Sequence, residues 1–400
     1  MGRWELSLGI ILLVLHVALA WTSAVQKGVT FDEPFHIGPA YLALSEGEFR
    51  FGYAQMLPDL WAAIPGAVTQ DIDIASRRAE GANFRKALGQ YESGDIYLFD
   101  SDDPMRYLLM QNRSMIILLS GLLGAGLWWA GRRWWGPAGG LLVLALYAMS
   151  PTVLAHARLV TGDLAATAFF MGAVGALWLV LHRLTWPRLA ASVLLCLGLV
   201  LTKSSAVLIV PMSLLLVAAR LGRGAPWPVQ LKGLARRRLA GRWRLAGAAT
   251  GLAAAHVLLG VLGIWAYYGF SFEAVPGAAP AIEARLTRER IGDLRYARPV
   301  IKSTMIFLHE NRLLPEPFLM AYGHYLGAVS GRQAYMAGHY AVTGWWSYFP
   351  FAFAVKTSLG VMVVLLSGLA GWGGWLVRKR GFVRQLYRTW PLWVLILVYG

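Results

Sequence analysis

The stretch LSLGIILLVLHVALAWTSAV, residues 6–25, decides the fold class. A bilayer's hydrocarbon core is about 30 Å thick, and about 20 helical residues cross it. Residues 6–25 have that length and contain no Asp, Glu, Lys or Arg. Apolar runs of the same kind recur at Ser114–Ala130, Ala138–Ala155, Leu164–Leu181, Leu245–Phe270 and Phe351–Val377. The 400-residue chain has a mean hydropathy of +0.51, with 57% hydrophobic and only 14% charged residues. A soluble domain carries about 25% charged residues. The fold class is therefore all-α: a polytopic membrane protein, a bundle of spans joined by outer-face loops and interfacial helices.

The net charge of +16 does not point to nucleic acid, because its distribution follows topology. Taking residues 6–25 as the first span, the segments placed inside hold 18 basic residues and one acidic residue, Glu5. Residues 26–113, the first outer loop, hold 13 acidic and 8 basic residues. Within it, Asp71 to Leu88 is amphipathic, the pattern of a helix lying on the membrane surface. Residues 271–347 form a second outer loop, rich in Arg, Pro, Gly and aromatics. Ala18-Leu19-Ala20 imitates a signal-peptidase site; cleaved or not, it leaves residues 26–113 outside. The single cysteine, Cys196, lies in an apolar run, which excludes an internal disulfide.

Leu189–Leu201 and Val207–Ala219 are each too short to span comfortably, and they flank Thr202-Lys203-Ser204-Ser205. One long helix across both would put Arg220 to Arg244 outside. That segment has eight basic residues and no acidic one, so two short helices meeting at Lys203 fit better. A lysine there needs a wet, protein-lined recess. Leu392–Gly400 begins a ninth span with nine apolar residues, too few to cross, so we expect the chain to be part of a longer protein.

The singular polar groups fall on one predicted side. Phe31-Asp32-Glu33-Pro34-Phe35-His36 follows the first span, and His156-Ala157-Arg158-Leu159-Val160-Thr161-Gly162-Asp163 precedes the fourth. Lys203 and Lys356 lie at the same level. Each residue also has a local explanation. Asp32 and Glu33 suit a helix N-terminus with Pro34 in its first turn. Asp163 suits an N-cap, Arg158 suits headgroup contact, and His36 suits an orienting contact to Asp32 one turn away. Together they form carboxylates and cations capable of activating a hydroxyl and holding a phosphate. No P-loop, GxGxxG or HExxH occurs, which leaves a nucleotide-driven pump or an intramembrane metalloprotease without support.

The ordered set resembles a known family. It comprises the Asp32-Glu33 pair, the step from Arg158 to Asp163, Leu201-Thr202-Lys203, and Gly344-Trp345-Trp346-Ser347-Tyr348-Phe349-Pro350 leading to Lys356-Thr357. This is similar to the GT-C membrane glycosyltransferases with lipid-carrier donors, in particular bacterial relatives of protein O-mannosyltransferases and lipid A aminoarabinose transferases. The resemblance implies a single transmembrane catalytic domain over 1–400, in the bacterial inner (plasma) membrane, with its site facing the periplasm. It implies a polyprenyl-phosphate sugar as donor, and a protein, lipid or glycan hydroxyl as acceptor. Asp32 is then the general base, with Glu33 and Asp163 beside it in the catalytic group. Lys203, Arg158 and Lys356 hold the donor phosphate, and His36 orients Asp32 or the acceptor. The family is mixed in its use of a divalent metal, and this chain shows no diagnostic ligand set. The chain departs from better-known members in having no recognisable large folded outer domain. The alternative function is a transporter or lipid-linked-sugar flippase, a class in which short paired helices also occur.

Overall fold

The computed structural model describes residues 2–49, 56–72, 74, 90–231, 237–274, 299–329, 334–342, 344–378 and 382–399. The chain is mostly helical. Among the described residues, five helices are long and apolar enough to cross a membrane: Arg3–Gln26, Met105–Ala148, Asp163–His182, Ser204–Gly222 and Arg242–Tyr267. A bent pair, Tyr348–Lys356 with Leu359–Gly371, would make a sixth. The chain divides into two compact units: 1–165 with 273–285 and 357–361, and 166–272 with 286–356 and 362–400.

In the first unit, α1 (Arg3–Gln26) is followed by α2 (Glu33–Ser45), α3 (Leu57–Thr69), α4 (Gln90–Phe99) and α5 (Met105–Ala148). Helix α5 is one element only by hydrogen bonding. Gly136 leaves helical geometry at φ 78° and ψ −174°, with Pro137 next, and the chain turns back. The left-handed φ favours glycine there. The two arms meet where Tyr147 Oη donates to Ser120 O at 2.9 Å. This single helical hairpin contains the two separate spans expected at Ser114–Ala130 and Ala138–Ala155. Helix α1 runs antiparallel to the first arm. Arg132 Nε donates to buried Glu5 at 2.6 Å at one end, His16 meets Ser120 Oγ at 2.6 Å midway, and Ala24 O accepts from Arg113 at the other.

The segment read as the first outer loop is largely a packed helical layer. Ile37, Tyr41 and Leu42 of α2, Ala62 of α3 and Ile96, Tyr97 and Leu98 of α4 share a buried core with Leu108 and Ile116 of α5. Tyr41 Oη accepts from Ile72 N at 2.8 Å, and Trp61 Nε1 donates to Met115 O at 2.9 Å. No folded outer part is recognisable in the sequence because these apolar residues are spread over three short helices with acidic residues between them. The segment from Asp71 to Leu88 lies almost wholly outside the described residues. Helices α2 and α4 cross with their backbones in contact: a side chain at Gly38 would overlap Gly94, and one at Gly94 would overlap the Pro34 carbonyl.

One ion pair joins these helices. Arg113 and Glu33 are both fully buried. Arg113 Nε donates to Glu33 Oε1 at 2.8 Å and Nη2 to Oε2 at 2.6 Å. Its remaining donors reach Ala24 O, Lys27 O and Gly28 O, each at 2.8 Å. All five guanidinium N–H groups are thus used. The cation meets the carbonyl end of α1 and the carboxylate meets the amide end of α2, the signs that the two helix dipoles favour.

In the second unit, α7 (Asp163–His182, its first residues in the first unit) leads to α8 (Trp186–Val200), a 3₁₀ turn (Ser204–Leu208) and α9 (Ile209–Gly222). A short helix α6 (Pro151–Ala157) precedes α7. As expected, the helix breaks at Lys203, which is extended at φ −157° and ψ 140°. Both arms return to one end: Leu184, just before α8, pairs with Val229, just after α9. Strands β1 (Trp227–Val229) and β2 (Arg237–Leu239) form an antiparallel hairpin there, and α10 (Arg242–Tyr267) follows. Beyond it lie α11 (Pro299–Glu310), α12 (Glu316–Val329) and the hairpin of β3 (Ala334–Met336) with β4 (His339–Ala341). Three expectations are corrected. The short run Val207–Ala219 belongs to a longer segment, Ser204–Gly222, that is long and apolar enough to cross a membrane. The run Phe351–Val377 is two helices, α13 (Tyr348–Lys356) and α14 (Leu359–Arg378), bent by 113°. The last helix, α15, spans Phe382–Tyr399 and so begins ten residues before Leu392, because Arg384 and Arg388 extend it in helical register.

Breaking the buried pair from one side leaves an uncompensated charge, so Glu33→Ala is expected to cost about 3–5 kcal/mol of stability. Glu33→Ala combined with Arg113→Met should recover much of that loss, read as denaturation midpoints in detergent. A double-variant loss equal to the sum of the Glu33→Ala and Arg113→Met losses would show that the two residues act independently.

Candidate functional site

The Asp32 to His36 segment lies where α1 hands over to α2. Asp32 is the N-cap residue, in helical geometry, and its side chain makes no capping hydrogen bond. It is exposed, whereas Glu33 beside it is fully buried. The helix turn explains the split, since adjacent residues point about 100° apart. Glu33 Oε2 also accepts from Thr30 N at 2.8 Å and Thr30 Oγ1 at 3.0 Å, and Oε1 accepts from Val160 N at 3.4 Å. Five donors surround this carboxylate. Glu33, placed from sequence in the catalytic group, is thus buried and saturated with donors.

Val160 sits in the loop between α6 and α7, so its bond to Glu33 brings residues 156–163 to the start of α2. Asp163 opens α7, half exposed, with Oδ2 3.7 Å from His156 Nδ1. Arg158 caps the end of α6. Its Nη1 is buried without a hydrogen-bond partner, as is Thr161 Oγ1.

His36 stands one turn into α2. Its Nδ1 lies 2.9 Å from Oδ2 of Asp59, a residue of α3 that is only 5% exposed. The other carboxylate oxygen, Asp59 Oδ1, is buried without a partner. Burial pushes the His36 pKa down. Asp59, by charge and hydrogen bond, and Asp32 and Asp163, by charge, outweigh that, so the net shift is upward from 6.5. Asp32, His36, Asp59 and Asp163 are thus one electrostatic group in the first unit. Pairing with Asp59 directs Nδ1 inward and leaves Nε2 as the outward nitrogen of the ring.

Of the residues picked out from sequence, the structure brings together Asp32, His36 and Asp163, with Arg158 on the same loop as Asp163. Lys203 and Lys356 belong to the second unit. Lys203 is half-buried between buried Thr202 and Ser204, with its N–H on Leu199 O at 3.2 Å. Lys356 ends α13 and is exposed. Among the described residues, no three His, Cys, Asp or Glu side chains come together in a way that could hold a metal ion. Sequence reasoning missed Asp59, Arg113 and His156. Asp59 stands in Leu57-Pro58-Asp59-Leu60-Trp61, an acid inside an apolar helix start, and that misfit is the signal for it. Arg113 carried a similar mark, a cation directly abutting the apolar run that starts at Ser114. No family model, curated protein or solved structure matches the chain.

A histidine whose pKa is raised on folding adds stability that is complete below its ordinary value of 6.5 and is lost as the pH climbs through the raised value. The melting temperature of the wild type should fall as pH rises through that window. Asp59→Asn should flatten the dependence; a variant profile parallel to the wild type would remove Asp59 as the cause.

Proposed function

We propose that the chain is an integral-membrane glycosyltransferase of the GT-C type, moving a sugar from a polyprenyl-phosphate donor to an acceptor hydroxyl on the periplasmic side of a bacterial inner membrane. The observation that carries this reading is the state of Asp32. Its carboxylate is exposed, free of capping duty and grouped with His36 and Asp163, on a helix start pinned by Glu33 and Arg113. A general base needs that combination of access and fixed placement. The resemblance of the ordered sequence set supports it.

In this mechanism Asp32 takes the proton of the acceptor hydroxyl as that oxygen attacks the anomeric carbon. The bond from that carbon to the phosphate oxygen breaks, the configuration inverts, and polyprenyl phosphate departs. Asp163 and His36 border the acceptor, and Asp59 fixes the ring of His36. Arg158 is assigned to the donor phosphate because its buried Nη1 has no hydrogen-bond partner among the described residues. Lys203 and Lys356 are given the same task on the sequence pattern. The acceptor is a protein, lipid or glycan hydroxyl.

A second reading, a transporter or flippase for the lipid-linked sugar, draws on the helix breaks at Lys203 and between Lys356 and Leu359. Broken helices mark binding sites in many transporters. Sugar transfer from a polyprenyl-phosphate donor, measured in membranes, separates the two. Asp32→Asn should lower transfer by at least about 100-fold, the range for loss of a general base. Lys203→Met should raise the donor KM with a smaller effect on kcat. Undiminished transfer by Asp32→Asn would remove it as base. Movement of the donor across the bilayer with no transfer would favour the second reading.

A further inference from the structure

The second unit carries a cationic cluster that the proposed chemistry does not use. Arg183 and Arg188 flank the start of α8, and Arg220 and Arg223 stand at the end of α9. Arg220 and Arg223 stand at Tyr387 of α15, while Arg183 donates to Gln230 Oε1 and Arg188 to Leu179 O beside them. His182 Nε2 is 2.8 Å from Tyr387 Oη, and the Arg223 guanidinium lies 4.4 Å from the centre of the Tyr387 ring. His182 stands in the fields of Arg220, Arg223 and Arg188, and Arg188 in that of Arg183. None of the four arginines is ion-paired among the described residues, and residues 183–244 contain no Asp or Glu.

Arg220 is the most demanding member. It is 4% exposed; Nε donates to Leu181 O at 2.9 Å and Nη2 to Pro226 O at 3.1 Å, while Nη1 is buried with no partner. Neutral carbonyls alone satisfy this cation. A buried charge beside the like charge of Arg223 is costly unless an anion compensates it.

Beside the cluster lies an apolar cavity of about 430 Å³ between α7, α8, α9 and α10, lined by Leu177, Leu181, Cys196, Val217, Ala253 and Ile264 among others. Leu181 joins the two features: its side chain lines the cavity and its carbonyl holds Arg220. Val217 lines the cavity one turn before Arg220. The cationic end is ringed by aromatics: Trp178 packs on His182 and Tyr387, Trp227 donates to Val180 O, and Trp186 is exposed. Such aromatics mark the headgroup level of a membrane protein. The volume falls in the range of small-molecule sites.

We propose that this is a binding site for an anionic glycerophospholipid, its phosphate on Arg220 and Arg223 with Arg183 and Arg188 around it, and one acyl chain in the cavity. The lipid supplies the counter-charge that Arg220 lacks and fills apolar space open to the bilayer. It is independent of the proposed transferase reaction.

The test uses the full chain in phosphatidylcholine nanodiscs, with phosphatidylglycerol, more phosphatidylcholine or inorganic phosphate added, and reads retained lipid by native mass spectrometry and the melting temperature. Phosphatidylglycerol should be retained and should raise the melting temperature. Arg183→Gln with Arg223→Gln, two exposed positions, should weaken its retention roughly tenfold or more. Arg238→Gln, an exposed arginine of β2 outside the cluster, should not. Ala253→Trp, which plugs the cavity, should lower retention with the arginines intact. Equal retention of the two lipids, equal loss in Arg238→Gln, or stabilisation by inorganic phosphate as large as by phosphatidylglycerol would overturn the proposal.

Discussion

The buried pair of Glu33 and Arg113 fixes the geometry of the first unit. An isolated charge at that depth would be costly, but here every donor and both acceptor atoms are satisfied. The pair does more than neutralise itself. Arg113 collects the last carbonyls of α1, Glu33 gathers the turn at Thr30, and Val160 brings in the distant loop before α7. Two distant chain segments, 80 and 127 residues from Glu33 along the sequence, are referred to one carboxylate. The direction of α2, and so the placement of Asp32, follows from that convergence.

Two adjacent carboxylates consequently do different physical work. Glu33 is withdrawn from solvent and saturated with donors, which makes it a fixed point. Asp32 stands on the accessible side with its lone pairs uncommitted to the helix. The pairing of His36 with Asp59 repeats the arrangement one turn later, with a buried acid holding a ring that faces other acids. The group is therefore oriented by its own foundations.

The fold class was legible because apolar run length answers to bilayer thickness, a constraint that leaves a mark in any sequence. The break at Lys203 was legible too, since the charge on Arg220 to Arg244 required an even number of crossings. The helical layer of α2, α3 and α4 was not. Its apolar residues are short, scattered and separated by acids, so no single period stands out, and the core exists only when α2, α3 and α4 meet. Within the site, Asp32, His36 and Asp163 announced themselves as polar residues at span ends. The division of labour within Asp32-Glu33 did not, because it is decided by Arg113, far away in sequence. Asp59 was hidden for the same reason: its partner His36 lies 23 residues before it.

The crossing of α2 on α4 through Gly38 and Gly94 has a bearing on how such a chain can change over generations. Backbone rests on backbone there, with the Pro34 carbonyl as one of the touching groups. A mutation that gave Gly94 any side chain would lift the helix that carries Asp32, though Gly94 has no chemistry of its own. The stretch between the two glycines could drift in composition wherever it leaves Tyr41, Leu42, Asp59 and Ala62 in place. Descendants of this protein would then diverge between those few side chains while two residues lacking side chains stay put, and one mark of common ancestry would be a pair of absences.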